Sequence, residues 1–137
     1  MFNFPDTLLR KAGLLLLITL FLLTGLNHFD NPNFYVSIIP PYLPLRYELS
    51  FIAGFFEILG ALGLLFAKTR KTSGYGLVLL LIAIFPANIH MALHPEYFPK
   101  YSPLTLYLRL PLQVLFVAWV YWATLREKAV GQGEEYY

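Results

Sequence analysis

Residues 47–67 read YELSFIAGFFEILGALGLLFA, and the fold turns on whether Glu57 forbids this stretch from crossing a membrane. At about 1.5 Å of rise per residue, its length matches a hydrocarbon layer about 30 Å thick. A carboxylate near the centre of such a helix costs about 2.5–3.5 kcal/mol on insertion scales, so it must face other helices and find a partner there. Ser50, Gly54, Glu57 and Ala61 recur at helical spacing and form one face that is small apart from the glutamate, with Gly60 and Gly63 extending it. Small faces let helices approach closely in lipid. The stretch therefore reads as a transmembrane helix that turns Glu57 into a bundle.

Composition agrees. The 137 residues are 58% hydrophobic and only 13% charged, and the mean hydropathy is +0.59, whereas soluble domains carry about 25% charged residues. The length suits one domain. A net charge of +2, with no basic run interleaved with aromatics, argues against a nucleic-acid partner. Cysteine is absent, which excludes disulfides, thiolate metal sites and dithiol redox chemistry.

Three further apolar stretches run from Ala12 to Leu26, Gly74 to Leu93 and Leu104 to Leu125. The first is short unless Asn27 and His28 lie at the interface. Arg10-Lys11 followed by LLLLITLFLL resembles a signal peptide, but TGLNH offers no small pair at cleavage spacing, so the stretch is kept as a helix. The expected fold is all-α: an integral membrane four-helix bundle over 12–125, between a segment 1–11 and a tail 126–137. The bilayer is its environment.

Basic residues orient it. Arg10, Lys11, Lys68, Arg70, Lys71, Arg126 and Lys128 flank one set of helix ends, against Arg46, Lys100 and Arg109 at the other. Both termini and a KTRKTSG turn (68–74) are then cytoplasmic, in a bacterial inner membrane, and the tail GQGEEYY frays. The first outward connection, HFDNPNFYVSIIPPYLPLR (28–46), is too apolar for a plain loop. Asn31 and Pro32 open a short interfacial helix with Phe34, Tyr35, Ile38 and Ile39 on one face, and Pro40, Pro41 and Pro44 end it. Tyr42, Tyr47, Tyr97, Tyr101 and Tyr107 add aromatics there, as an interfacial belt or as a lid over a site. NHFDNPNFY (27–35) and NIHMALHPEYF (88–98) echo each other, which suggests a duplicated hairpin.

The remaining polar residues concentrate at one depth. Arg109 and Gln113 lie one turn apart in the last crossing, around Pro111, and Arg109 is the natural ion partner of Glu57. Pro86 frees a carbonyl near Asn88. His90 and His94 share a face at i, i+4, but HMALH lacks the glutamate of a zinc helix, so no metal is expected. His28 can join His90 and Glu48. Asn27, His28, Glu48, Glu57, Asn88, His90, Arg109 and Gln113 all fall in the outer half of the bundle, with Tyr42 above them. Such a layer serves either as a satisfied network that fixes helix register or as a ligand pocket.

GLNHFDNPNFYVSIIPPYLP (25–44), SFIAGFFEILGALGLLF (50–66), KTRKTSGYGLVLLLIAIFPANIHMAL (68–93) and LRLPLQVLFVAWVYW (108–122) together resemble the DoxX-like family of small bacterial membrane proteins. The resemblance implies a four-helix membrane bundle. It also implies an association with quinone-linked oxidoreductase systems, or an accessory or assembly role. The expected function is thus an accessory subunit, not an enzyme on its own and without a cofactor, whose outward polar pocket takes a small ligand, a membrane partner or a second copy. The alternative is a quinone-interacting subunit, with Tyr42, His90, Arg109 and Glu57 bonding the quinone carbonyls or relaying protons.

Overall fold

In a computed structural model, residues 5 and 7–125 are described, and they form an up-down-up-down bundle. Its elements are α1 (Leu8–Asp30), α2 (Pro32–Ile38), α3 (Arg46–Leu65), α4 (Ala67–Leu93), a 3-10 turn (Pro95–Tyr97) and α5 (Pro103–Val120). A π-helical turn, Tyr121–Leu125, prolongs α5. Four helices are long and apolar enough to cross a membrane: Leu8–Asp30, Arg46–Leu65, Ala67–Leu93 and Pro103–Leu125. The expected tail, 126–137, lies outside the described residues, as do Met1–Phe4 and Asp6.

Helix boundaries depart from the sequence reading in two informative places. The first helix starts at Leu8, with Thr7 capping the Arg10 amide at 3.3 Å, and it runs on to Asp30. Asn27 and His28 are therefore inside the helix, and His28 is buried rather than interfacial. The KTRKTSG segment is not a turn. It belongs to α4, and Phe66 alone, with extended backbone, reverses the chain. So tight a reversal leaves the last carbonyls of α3 exposed, and α4 covers them. Thr69 donates to the Gly63 carbonyl at 2.6 Å, while Arg70 reaches those of Leu64 and Leu65 at 2.9 and 3.3 Å. Arg70, with Thr69, thus closes a helix end, as expected for a cation at a C-terminus.

At the opposite, proline-rich end, α2 forms where Asn31 and Pro32 place it, though the Asn31 side chain makes no cap hydrogen bond. Its Ile38 is buried and its Phe34 and Tyr35 pack on the bundle. Pro40, Pro41 and Pro44 follow, and Leu45 then takes a left-handed conformation (φ 57°) to start α3.

Two apolar clusters fill the interior. One, toward the basic end, joins Leu14, Leu17 and Phe21 to Leu64, Leu77, Leu81 and Val120. The other, toward the proline end, joins Ile38, Ala87, Met91, Phe98 and Leu106. On α5, Arg109 and Gln113 fall between Leu106 of the second cluster and Val120 of the first, and on α1 and α3 the buried His28, Ser50 and Glu57 lie on the proline-end side of the first cluster.

Candidate functional site

The polar layer is divided between two helix seams. The first lies between α1 and α3, where Gly25 and Gly54 face each other. A Cβ on either would come within 3.0 Å of the other's carbonyl oxygen. That approach brings His28 and Glu57 together, 6% and 5% exposed. His28 Nε2 lies 3.2 Å from Glu57 Oε1, and His28 Nδ1 lies 3.3 Å from Ser50 Oγ. Thr24 Oγ1 is 2.5 Å from Glu57 Oε2 and 3.3 Å from the Phe21 carbonyl. Tyr35 of α2 stacks on the His28 ring at 3.7 Å between centroids, and Asn27 donates to the Tyr35 hydroxyl at 2.7 Å.

This seam accommodates a proton in more than one position. With Glu57 ionised, Thr24 and His28 both donate to it. With Glu57 protonated, it donates to Thr24, which turns its own proton to the Phe21 carbonyl. A buried cluster whose donors and acceptors are all partnered is what a low-dielectric interior tolerates.

The second seam lies between α4 and α5. Asn88 donates to Gln113 Oε1 at 2.5 Å, and Gln113 Nε2 donates to the Leu81 carbonyl at 2.8 Å. Leu81 adjoins Ile82, whose carbonyl loses its helical donor to Pro86. Beside this amide pair a groove of about 400 Å³ opens, lined by Asn88, Arg109, Gln113, Leu112, Leu115, Phe116 and Trp119. Arg109 is half-buried there and makes no hydrogen bond or ion pair among the described residues.

Several expected pairings are corrected. Glu57 is bonded to His28 and Thr24 of α1 rather than to Arg109. His28 pairs with Ser50 and Glu57, not with His90 and Glu48, and Glu48 is exposed. His90 turns to His94, at 4.7 Å between rings, and His94 stacks on Tyr97 and reaches Glu96 Oε1 at 3.3 Å. Among the described residues no group of His, Asp and Glu side chains is arranged to hold a metal. Tyr42 is 76% exposed on the proline-rich connection, so the four side chains named for a quinone do not assemble around one space. Thr24 escaped the sequence reading, although its i, i+4 spacing from His28 puts both on one face.

Outside the spanning helices, the Glu96 carboxyl is held below its ordinary range. Its own backbone amide is the largest cause, and His94 adds to it.

No curated protein and no solved structure matches the chain. Residues 17–124 match a family model described as "Domain of unknown function (DUF8561)". That match replaces the DoxX-like resemblance, which no comparison supports. By a match that covers most of its length, the chain belongs to the DUF8561 family.

Proposed function

We propose that this protein is a non-catalytic accessory or assembly subunit of a bacterial inner membrane, whose α4–α5 groove receives a membrane partner or small ligand. The observation that carries the reading is Arg109. A guanidinium in a spanning helix is costly, though less toward the helix end than at the centre, and among the described residues none bonds or pairs with Arg109. A charge retained at such a cost fits a group that arrives from outside. The α1–α3 seam, by contrast, is closed and internally bonded, which suits a fixed support. A photoactivatable residue at Leu112, on the groove wall, tests the reading in native membranes. A discrete adduct that disappears in Arg109→Gln is expected. No adduct, or one indifferent to that change, would sink it.

A second reading, a quinone-interacting subunit, is favoured by Trp119 and Phe116 in the groove wall. It requires saturable quenching of Trp119 fluorescence by a short-chain quinone.

A further inference from the structure

The donors that line the α4–α5 groove are not equally available. Asn88 spends one amide proton on Gln113, and Gln113 spends one on the Leu81 carbonyl. Arg109 spends none on the described residues, so most of the free donor capacity is a cationic fork, suited to a phosphate or carboxylate, beside one remaining amide proton each on Asn88 and Gln113.

Depth narrows the source. Arg109 is six residues from Pro103, the start of α5, hence about 9 Å along the axis. A side chain of that length snorkels to the headgroup level from there. Away from that end the groove turns apolar, through Leu112, Leu115 and Phe116 to Trp119, about 15 Å further along the axis. A volume of about 400 Å³ is more than a free phosphate fills, and Leu112 and Leu115 on its wall are exposed on the apolar face of α5. Head and tail are both provided for.

We propose that this groove binds an anionic phospholipid, with the headgroup phosphate on Arg109 and part of an acyl chain along Leu112, Leu115 and Trp119. The assignment rests on the reading of the groove as a binding surface and names its occupant.

The full chain with Trp122→Phe, which leaves Trp119 as reporter, is placed in phosphatidylcholine vesicles. These contain equal fractions of brominated phosphatidylglycerol or brominated phosphatidylcholine. The anionic lipid should quench Trp119 with an apparent binding constant about fivefold higher, as one basic residue at an anionic surface provides. Arg109→Gln should abolish the excess. Arg109→Lys, which keeps the charge, should retain part of it, so a merely misfolded variant cannot imitate the result. Equal quenching by the two lipids, or an excess that survives Arg109→Gln, overturns the proposal. Relief of the excess by millimolar inorganic phosphate overturns it in favour of a free-anion site. A Leu112 crosslink between two copies, without lipid selectivity, also overturns it but leaves the groove a binding surface. Absence of both selectivity and any Leu112 adduct removes the two readings together.

Discussion

Glu57 has two carboxyl oxygens, and each has its own partner on α1: His28 at one, Thr24 at the other. Removing the carboxyl therefore strands buried polar groups, whereas changing it to an amide does not. Glu57→Gln can accept from His28 and donate to Thr24, so it should unfold within about 1 kcal/mol of the parent. Glu57→Ala should lose about 3–5 kcal/mol, the usual consequence of breaking one side of a buried pair. A double-mutant cycle in detergent should show coupling of about 0.5–3 kcal/mol between Glu57→Ala and His28→Ala, and additivity between Glu57→Ala and Arg109→Ala. The opposite pattern would mean that Arg109 is the partner after all. Glu96 gives a separate residue-level check. Its carboxyl should titrate below an ordinary glutamate by NMR, and His94→Ala should raise it only part of the way, because the backbone amide is the larger cause. Full restoration would contradict that ranking. A depressed carboxylate of this kind favours the folded chain above its unfolded value, and the benefit is lost as pH falls through the folded one.

Such residue pairings were only half legible. Helical periodicity told which face Glu57 occupies and that it needs a partner. It could not tell which helix lies opposite, because depth along a helix says nothing about neighbours around the bundle. That choice is made by the Gly25–Gly54 contact, one scale up. A Cβ on Gly54 would come within 2.5 Å of the His28 Cβ, so Gly54→Ala should part α1 from α3 and cost about 1–3 kcal/mol as overpacking. Gly76 has nothing within 4 Å of the corresponding position. Gly76→Ala should thus be neutral or stabilising by up to about 1 kcal/mol. Equal melting temperatures for the two variants would refute the close crossing. The KTRKTSG segment shows why an element was misread: its composition resembles a loop, yet Thr69 and Arg70 are there to close α3 while α4 begins. The sequence echo, by contrast, has a structural counterpart. Asn31 and His94 end their helices with nearly the same backbone angles (φ −132°, ψ 61° and φ −126°, ψ 59°), and each amide bonds the carbonyl four residues back. Each is followed by a proline that opens a short helical turn. In that register His28 corresponds to Met91 and Tyr35 to Phe98. The first stretch carries the stacked polar pair, and the second contributes to an apolar cluster.

For the whole molecule, four crossings were readable because hydropathy over some twenty residues depends little on packing. The polar layer was readable as a depth, on the proline-end side of the larger apolar cluster, but its division into two seams needed tertiary contacts. Orientation rests on charge alone, and it decides which leaflet the Arg109 groove meets. Among the described residues Arg10, Lys11, Lys68, Arg70 and Lys71 lie at the end where α1 begins and α3 meets α4, against Arg46, Lys100 and Arg109 toward the other, so positive-inside bias makes that end the expected cytoplasmic one. Arg70 also bonds two α3 carbonyls, so it serves the helix end as well as the charge bias. The chain lacks cysteine, which makes a direct measurement simple. Single cysteines at Leu8 and Tyr42, both exposed and at opposite ends, can be probed in spheroplasts with an impermeant maleimide. Tyr42→Cys should label at once and Leu8→Cys only after lysis. The reverse order would invert the molecule and put the groove's Arg109 in the cytoplasmic leaflet, where anionic lipid is met from the other side.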